Sequence, residues 1–197
     1  PRSLPAPALG TLSLPDRFFL SVGTLEPRKN LKTIIEAYER VLTSKGDLPP
    51  LLLTGQFGWG DQSFARMAAQ KYPKHIRMLG YVSDAQLPAL YQRATAFLYP
   101  SLYEGFGLPP VEAASYETLV LCSDTPACTE VLHGGAVFLP PTSVGAWSEA
   151  LVRASTDEKW RADHAHAGKL RVASLSWTHA AEQTRGVYDR VANRKRT

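Results

Sequence analysis

The stretch Tyr103–Ala113 reads Tyr-Glu-Gly-Phe-Gly-Leu-Pro-Pro-Val-Glu-Ala, and it decides how the rest of the chain is interpreted. Two carboxylates flank a loop with two glycines, and a proline pair then begins a helix, since proline is favoured in the first turn. The preceding apolar run, Ala94–Tyr99, is typical of a buried strand that Pro100 closes. The loop therefore lies between the carboxyl end of a strand and the amino end of a helix, where open α/β sheets bind ligands.

This loop has the chemistry of a nucleotide-sugar site. Glycine lets the backbone approach a ligand closely, and the free N–H groups and helix dipole favour an anion. An ionised carboxylate only accepts hydrogen bonds, so Glu104 suits sugar hydroxyls and Glu112, on the first turn of the predicted helix, suits a ribose diol. Alternatively, Glu104 is solvated and Glu112 complements the helix dipole. For Glu112 alone we favour that alternative, but the order of the whole stretch favours the site.

The remainder of the chain alternates apolar runs with helical patterns. Nearly continuous apolar runs predict a parallel sheet covered on both faces, so the fold class is α/β, a three-layer Rossmann-like domain with six parallel strands. Asn30 is the predicted N-cap of the first helix, and Ser83 with Gln86 matches a capping box. The predicted strands are Arg17–Gly23, Leu51–Gly55, Ile76–Gly80, Ala94–Tyr99, Thr118–Cys122 and Ala136–Leu139.

Two cations stand in the loop after the first predicted strand. Right-handed crossovers place the carboxyl ends of all the strands at one edge, so this loop and the loop after the fourth strand face the same crevice. Arg28 and Lys29 lie just before a helix amino end and suit a diphosphate. In a sugar transfer the diphosphate gains charge as it leaves, and a preplaced Arg and Lys would stabilise that charge. A solvated basic loop is the alternative.

The composition is that of an ordinary globular protein, and missing motifs exclude several classes of enzyme. Of the 197 residues, 44% are hydrophobic and 20% charged, which is ordinary for a globular protein. The chain contains no dinucleotide-binding G-x-G-x-x-G after a strand, no P-loop and no nucleophile elbow. It has no Asp-x-Asp pair, so we expect neither metal nor cofactor. Cys122 and Cys128 are not expected to form a disulfide, which fits a reducing cytoplasm.

The termini suggest a boundary at each end of the domain. Residues 1–16, with four prolines, are interpreted as a linker or truncation remnant, residues 17–175 as the domain, and residues 176–197 as a separate helix. The net charge of +4 is mild and concentrated near the end. A basic tail can contact nucleic acid or anionic lipid, but a solvated helix end that complements its own dipole is favoured, so we expect no nucleic-acid partner.

With these residues in place, the chain resembles the C-terminal, donor-binding domain of retaining GT-B glycosyltransferases of the GT4 type, and the mannosyltransferases among them. Glu104 and Glu112 stand at the E-x7-E spacing of that family, which is the most specific part of the likeness. The other matching segments are Ser21-Val22-Gly23, Lys29-Asn30-Leu31, Leu79-Gly80-Tyr81-Val82-Ser83 and Ser176-Trp177-Thr178.

The resemblance implies a role for each site residue. The catalytic set is Glu104 on the sugar with Arg28 and Lys29 on the diphosphate. Thr24 stands where many members carry an Arg, and Arg28 is expected to supply that charge. The implied donor-binding residues include Tyr81 and Val82 beside the base and Glu112 on the ribose. They also include Gly23, Thr24, Gly105 and the backbone N–H groups of Phe106, Gly107 and Leu108.

The resemblance also implies the activity: metal-independent transfer of a hexose, mannose from GDP-mannose, to a glycan or lipid-linked acceptor. The acceptor site would lie mainly on an N-terminal domain to which the last helix crosses, so these 197 residues alone are expected to show little turnover. The expected location is cytoplasmic, with peripheral contact to the inner face of the plasma membrane. Two alternatives stay open: a GT-B-like nucleotide-sugar epimerase, and a non-catalytic nucleotide-binding or membrane-docking module.

Overall fold

The computed structural model describes residues 13–44, 46–60 and 63–194, without the side chain of Arg194. Within these residues the strands are β1 Phe19–Val22, β2 Leu51–Thr54, β3 Ile76–Gly80, β4 Ala96–Tyr99, β5 Val120–Ser123 and β6 Val137–Leu139. They form one six-stranded parallel sheet in the order β3-β2-β1-β4-β5-β6. The predicted α/β fold with six parallel strands is confirmed.

Helices cover both faces of the sheet. Successive strand residues point to opposite faces, so Leu51 and Leu53 belong to one core cluster and Leu52 to the other. The helices are α1 Leu31–Thr43, α2 Ser63–Lys71, α3 Leu87–Arg93, α4 Leu108–Ser115, α5 Pro126–Val131, α6 Val144–Thr156, α7 Glu158–Val172 and α8 Trp177–Arg194. The first cluster joins the sheet to α1, α2 and α6, and the second joins it to α3, α4, α5 and α7.

The strand order reverses between β1 and β4, which are neighbours although they are not consecutive. In this pair Phe19 lies opposite Ala96 and Leu20 opposite Phe97. At such a switch point the connections from the two strands diverge to opposite faces, which leaves a crevice at their carboxyl ends. The loop after β1 and the loop after β4 are the two segments that the sequence assigns to the ligand.

Two local predictions about the third helix and the fourth strand need correction. The backbone N–H of Ala94 donates to the carbonyls of Leu90 and Tyr91, so Ala94 still closes α3 and β4 starts only at Ala96. The predicted capping box forms only in part. Gln86 Oε1 accepts from the Ser83 N–H at 3.1 Å, but the Ser83 hydroxyl also donates to Gln86 and does not cap the helix.

Helix α8 differs from the other helices because it packs against almost nothing. Trp177 is 81% exposed and Tyr188 69%, although both belong to the apolar side of the helix. No helix within residues 13–44, 46–60 and 63–194 is long and apolar enough to cross a membrane. The division of the chain at residues 16 and 175 stays a prediction, and residues 1–12 and 195–197 lie outside the described part.

Candidate functional site

The loops after β1 and β4 are joined to each other by backbone and side-chain hydrogen bonds. The N–H of Leu102 donates to the Arg28 carbonyl at 2.8 Å. Asn30 Nδ2 donates to the Pro100 carbonyl at 3.0 Å and to the Pro141 carbonyl at 2.7 Å, which also ties in the loop after β6. A single amide thus holds three loops at one edge of the sheet.

Asn30 occupies the predicted N-cap position of α1, but its side chain makes no cap hydrogen bond. Its backbone lies in the left-handed region, with φ 52°, which asparagine tolerates better than most residues. Its Oδ1 accepts from the Thr33 hydroxyl of α1 at 2.9 Å and from no backbone N–H of the helix, while its Nδ2 points to the other two loops. The position was predicted correctly and the role was wrong, because the amide connects the loops.

The three predicted catalytic side chains meet in one ion-pair network. Lys29 Nζ lies 2.6 Å from Glu104 Oε1, and Arg28 Nη1 lies 2.9 Å from Glu104 Oε2. Lys29 also donates to the Tyr99 hydroxyl at 3.0 Å, and Arg28 Nε lies 2.5 Å from Glu26 Oε1. The expected proximity of Glu104, Arg28 and Lys29 is confirmed.

The network alternates in charge and is largely withdrawn from solvent. The side chains of Glu104 and Lys29 are 9% and 11% exposed. Burial by itself would raise the pKa of Glu104, but the hydrogen bonds that it accepts, first of all from Lys29, together with the Lys29 charge outweigh burial, so the pKa is lowered. Burial raises the pKa of Tyr99, and the Glu104 charge raises it further, so this phenol stays neutral beside the lysine. Glu104 is therefore an ionised, fully engaged acceptor.

This arrangement differs from the pairing expected from the sequence. The two cations were assigned to a diphosphate and Glu104 to sugar hydroxyls, yet in the structure the carboxylate bonds both cations directly. With Glu26 included, two positive and two negative side chains balance. A diphosphate that binds here must take over cations that Glu104 now holds.

The glycine-containing loop presents its backbone at the amino end of α4. Gly107 is the N-cap residue, with φ 87°, a conformation that other residues rarely adopt. The next residue, Leu108, begins the helix, and Pro109 and Pro110 then contribute no N–H. Among Leu108, Pro109 and Pro110, Leu108 is the residue with a backbone N–H. Backbone contacts to an anion at this helix end are therefore limited to residues 106–108, the segment predicted from the sequence.

The flanks of this loop are open. Phe106 and Leu108 are 45% and 47% exposed, and a Cβ added at Gly105 would meet nothing within 4 Å. Gly23 and Thr24 border a separate small cavity that Lys29, Tyr99 and other residues at the ends of β1 and β4 also line. Of the two cations, Lys29 is the one that reaches this cavity.

Glu112 lies apart from this network. It is the fifth residue of α4, so it sits in the second turn and not the first, as was predicted. It is exposed, and its Oε2 accepts a hydrogen bond of 2.9 Å from the Tyr91 hydroxyl. Glu112 lies on α4 and Glu104 lies in the loop before it, so the two glutamates have different neighbours.

The loop after β3 holds the two residues expected beside the base. Tyr81 is 69% exposed at the carboxyl edge of the sheet. Val82 is 6% exposed and packs in the core cluster that contains Leu90 and Tyr91. The side chain available to a ligand is therefore that of Tyr81, and Val82 could contribute only its backbone.

Sequence reasoning missed Glu26, Tyr99 and Tyr91. Glu26 precedes the turn Pro27–Lys29, and an acidic residue two positions before Arg28 was a readable signal for an ion pair. The two tyrosines gave no signal, because each belongs to an apolar segment whose buried face predicts only packing. The Tyr99 hydroxyl accepts from Lys29, and the Tyr91 hydroxyl donates to Glu112, so each partner is distant in sequence.

Comparison with known proteins decides the family. Residues 11–171 match the family described as Glycosyl transferases group 1. The chain belongs to this family. It is 36% identical over 172 residues to O-antigen chain mannosyltransferase B of Escherichia coli, with 87% of this chain and 45% of that protein covered. It is 29% identical over 174 residues to the phosphatidyl-myo-inositol mannosyltransferase of Mycobacterium tuberculosis, with 85% and 45% covered.

Solved structures show the same fold. Sucrose-phosphate synthase from Thermosynechococcus elongatus superposes with a TM-score of 0.78 at 25% identity, covering 95% of this chain and 49% of that chain. The C-terminal domain of a group 1 glycosyl transferase from Francisella tularensis superposes with a TM-score of 0.71 at 22% identity, covering 82% and 87%. The resemblance stated from the sequence is confirmed, and the chain spans about half the length of the curated relatives that it matches.

Proposed function

We propose that this chain binds the nucleotide-sugar donor in a retaining glycosyltransferase that transfers mannose from GDP-mannose to a glycan or lipid-linked acceptor. The observation that carries the proposal is the contact of Glu104 with both Arg28 and Lys29 at the switch point of the sheet. The mannosyltransferase relatives support the class of sugar. The guanine base and the acceptor rest on the resemblance alone.

In this proposal the ligand exchanges partners with Glu104. The diphosphate oxygens bond Lys29 and Arg28, which releases the Glu104 carboxylate to accept hydrogen bonds from sugar hydroxyls. As the bond from the sugar C1 to the diphosphate breaks, the electron pair goes to the leaving oxygen, the acceptor hydroxyl oxygen forms the new bond to C1, and its proton goes to the departing diphosphate. The two cations stabilise this growing charge, so their contribution is largest in the transition state. These side chains supply the charge that a metal supplies in other transferases, and the proposal assigns no metal or cofactor.

The nucleoside end of the donor lies beyond the glycine loop in this proposal. The backbone N–H of Leu108 bonds a phosphate oxygen, Glu112 accepts from the ribose hydroxyls, and the base lies against Tyr81. The exposure of Glu112 and Tyr81 supports these roles, because both side chains are accessible to a ligand without any rearrangement of the core.

In this proposal helix α8 contacts a part of the enzyme outside this chain. Trp177, Tyr188 and Val191 are 81%, 69% and 54% exposed, which is a large apolar surface for one helix. We propose that this side of α8 packs on the N-terminal domain that would carry the acceptor site. Arg185 and Arg190 on the same helix support a further peripheral contact with anionic lipid at the cytoplasmic face of the membrane.

The low pKa of Glu104 argues against Glu104 as the proton donor of an epimerase. An epimerase needs side chains that gain and lose a proton during turnover. Glu104 is held ionised by Lys29, so it does not supply a proton near neutral pH. The same ionised state suits an acceptor of sugar hydroxyl bonds.

Ligand-dependent thermal stability tests the proposal. GDP-mannose, GDP, UDP-glucose, UDP and ADP-glucose are each added to the purified chain, and the free energy of unfolding is measured. A ligand at a hundred times its Kd stabilises by about 2.7 kcal/mol, and we expect GDP-mannose to stabilise most. No stabilisation by any of the five would contradict a donor site.

The variant Glu104→Gln distinguishes the contribution of the sugar to donor affinity from the contribution of the diphosphate. The substitution frees Lys29 and Arg28, so the affinity for GDP is expected to stay equal or to rise. The preference for GDP-mannose over GDP is expected to fall about tenfold, which corresponds to about 1.4 kcal/mol. Glu36→Gln, on the exposed side of α1, is the control. An unchanged preference would contradict a contact between Glu104 and the sugar.

A further inference from the structure

We propose that Tyr91 is a positioning residue that sets the ribose preference of the nucleotide site. It does so by holding the Glu112 carboxylate in one orientation. The inference rests on the proposed role of Glu112 as the acceptor for ribose hydroxyls. It adds Tyr91, on α3, to the site and assigns to it a role that binding measurements can test.

Tyr91 is immobilised along its whole length. It is 1% exposed, near the end of α3. Its ring lies edge-on to Phe97 at 5.5 Å between centroids and stacks with Tyr116 at 6.0 Å. Its backbone carbonyl accepts a hydrogen bond of 2.6 Å from the Thr118 hydroxyl. Both the ring and the backbone of this residue are therefore fixed by the core.

The phenol of Tyr91 reaches out of this core to Glu112. Its hydroxyl donates to Glu112 Oε2 at 2.9 Å. Burial raises the pKa of Tyr91, and the Glu112 charge raises it further, so the phenol keeps its proton wherever the carboxylate is ionised. The direction of this hydrogen bond is thus constant. An exposed glutamate that would otherwise move among several rotamers is anchored at one oxygen.

Anchoring one oxygen of Glu112 leaves the other for a ligand. A carboxylate has about four acceptor sites, and Tyr91 uses one of them. A ribose offers two neighbouring O–H donors, and a carboxylate that is already oriented loses less conformational freedom when it binds them. A purely structural role, in which Glu112 only satisfies a buried phenol, predicts no such effect on ligands.

The variant Tyr91→Phe separates the two roles, because it keeps the ring and removes the hydroxyl. The dissociation constants of GDP and 2′,3′-dideoxy-GDP are measured by calorimetry for the wild-type chain, Tyr91→Phe and Glu112→Gln. We expect the wild type to prefer GDP, and each variant to lose about fivefold to tenfold in GDP affinity with dideoxy-GDP affinity unchanged. The double variant should lose no more than Glu112→Gln alone, since Tyr91 acts through Glu112.

The control is Tyr116→Phe, which removes a hydroxyl from the ring that stacks on Tyr91 and leaves the contact with Glu112 intact. It should keep the preference for GDP. If Tyr91→Phe keeps the full preference too, the positioning role is wrong. If Tyr91→Phe does not fold, Glu112→Asp replaces it, because the shorter carboxylate keeps its charge but withdraws from the phenol; it should lose the preference, and an undiminished one overturns the inference.

The wild-type measurement distinguishes this inference from the proposed function. Equal affinities of the wild type for GDP and dideoxy-GDP would overturn both the ribose role of Glu112 and the role of Tyr91, while the diphosphate site at Lys29 would stand. No binding of either nucleotide would instead contradict the donor site itself.

Discussion

Glu104 and Glu112 belong to one short motif, with seven residues between them, yet they lie in opposite environments. Glu104 is nearly buried and bonds two cations. Glu112 is exposed and bonds one neutral phenol. The charge of the first glutamate is balanced by two cations, whereas the second lies at the surface of α4 with no cation among its hydrogen-bond partners in the described residues.

This difference between Glu104 and Glu112 indicates that the two ends of a ligand would bind in different ways. At the Glu104 end an incoming diphosphate must replace an existing carboxylate, so part of its interaction energy is spent on breaking two ion pairs. At the Glu112 end the acceptor is already oriented, and nothing has to be displaced. Under the proposed assignment, binding of the diphosphate therefore depends on charge, and binding of the ribose depends on the geometry of Glu112. Three experiments examine this contrast.

The largest effect is expected for Lys29→Met, which removes a nearly buried cation at the Glu104 end. We expect the affinity for GDP to fall about a hundredfold, or about 2.7 kcal/mol, because a charge-assisted contact to phosphate is lost. Calorimetric titration measures it. Lys32→Met, which removes an exposed lysine of α1, should leave the affinity unchanged. Equal losses in the two variants would place the diphosphate elsewhere.

A smaller effect is expected for the loop that separates the two glutamates. Gly107→Ala forces a side chain into a backbone with φ 87°, which should cost about 1–2 kcal/mol of unfolding free energy. Gly105→Ala is the matched control, since it has open space around it and its φ is not in the left-handed region; it should stay within about 0.5 kcal/mol. Urea denaturation compares them. Equal costs would mean that the turn at Gly107 relaxes easily.

The smallest effect concerns acid. The pKa of Glu104 is lower in the folded chain than its ordinary value of 4.5, so its ion pairs add stability above that pH, and this stability is lost as the pH falls through the folded value. Glu104→Gln should remove this part of the acid dependence, which is on the order of 1 kcal/mol. Denaturation curves at several pH values measure it.

Glu112→Gln is the counterpart of that experiment at the other end of the motif. It leaves the ion pairs of Glu104 intact, so the loss of stability in acid should match that of the wild type. If both variants flatten the acid dependence equally, the two glutamates do not differ in the way that their surroundings indicate.

Much of the fold could be predicted because it depends on local patterns. The apolar runs predicted all six described strands, with bounds that shifted by one or two residues where a helix end or a turn used the first backbone groups. The approach of Arg28 and Lys29 to the loop after β4 followed from the parallel topology alone. The side-chain partners did not follow, because hydrogen-bond distances depend on how helices pack across the sheet.

By itself, the sequence determined a parallel sheet, a turn at Gly107 that only glycine makes without strain, and two acids at a fixed spacing. Only the tertiary structure decided that Glu104 bonds the cations of another loop and that Glu112 bonds the phenol of another helix. The physical reason is that backbone conformation is governed by neighbouring residues, while the partner of a charged side chain is whichever polar atom the folded core brings within about 3 Å.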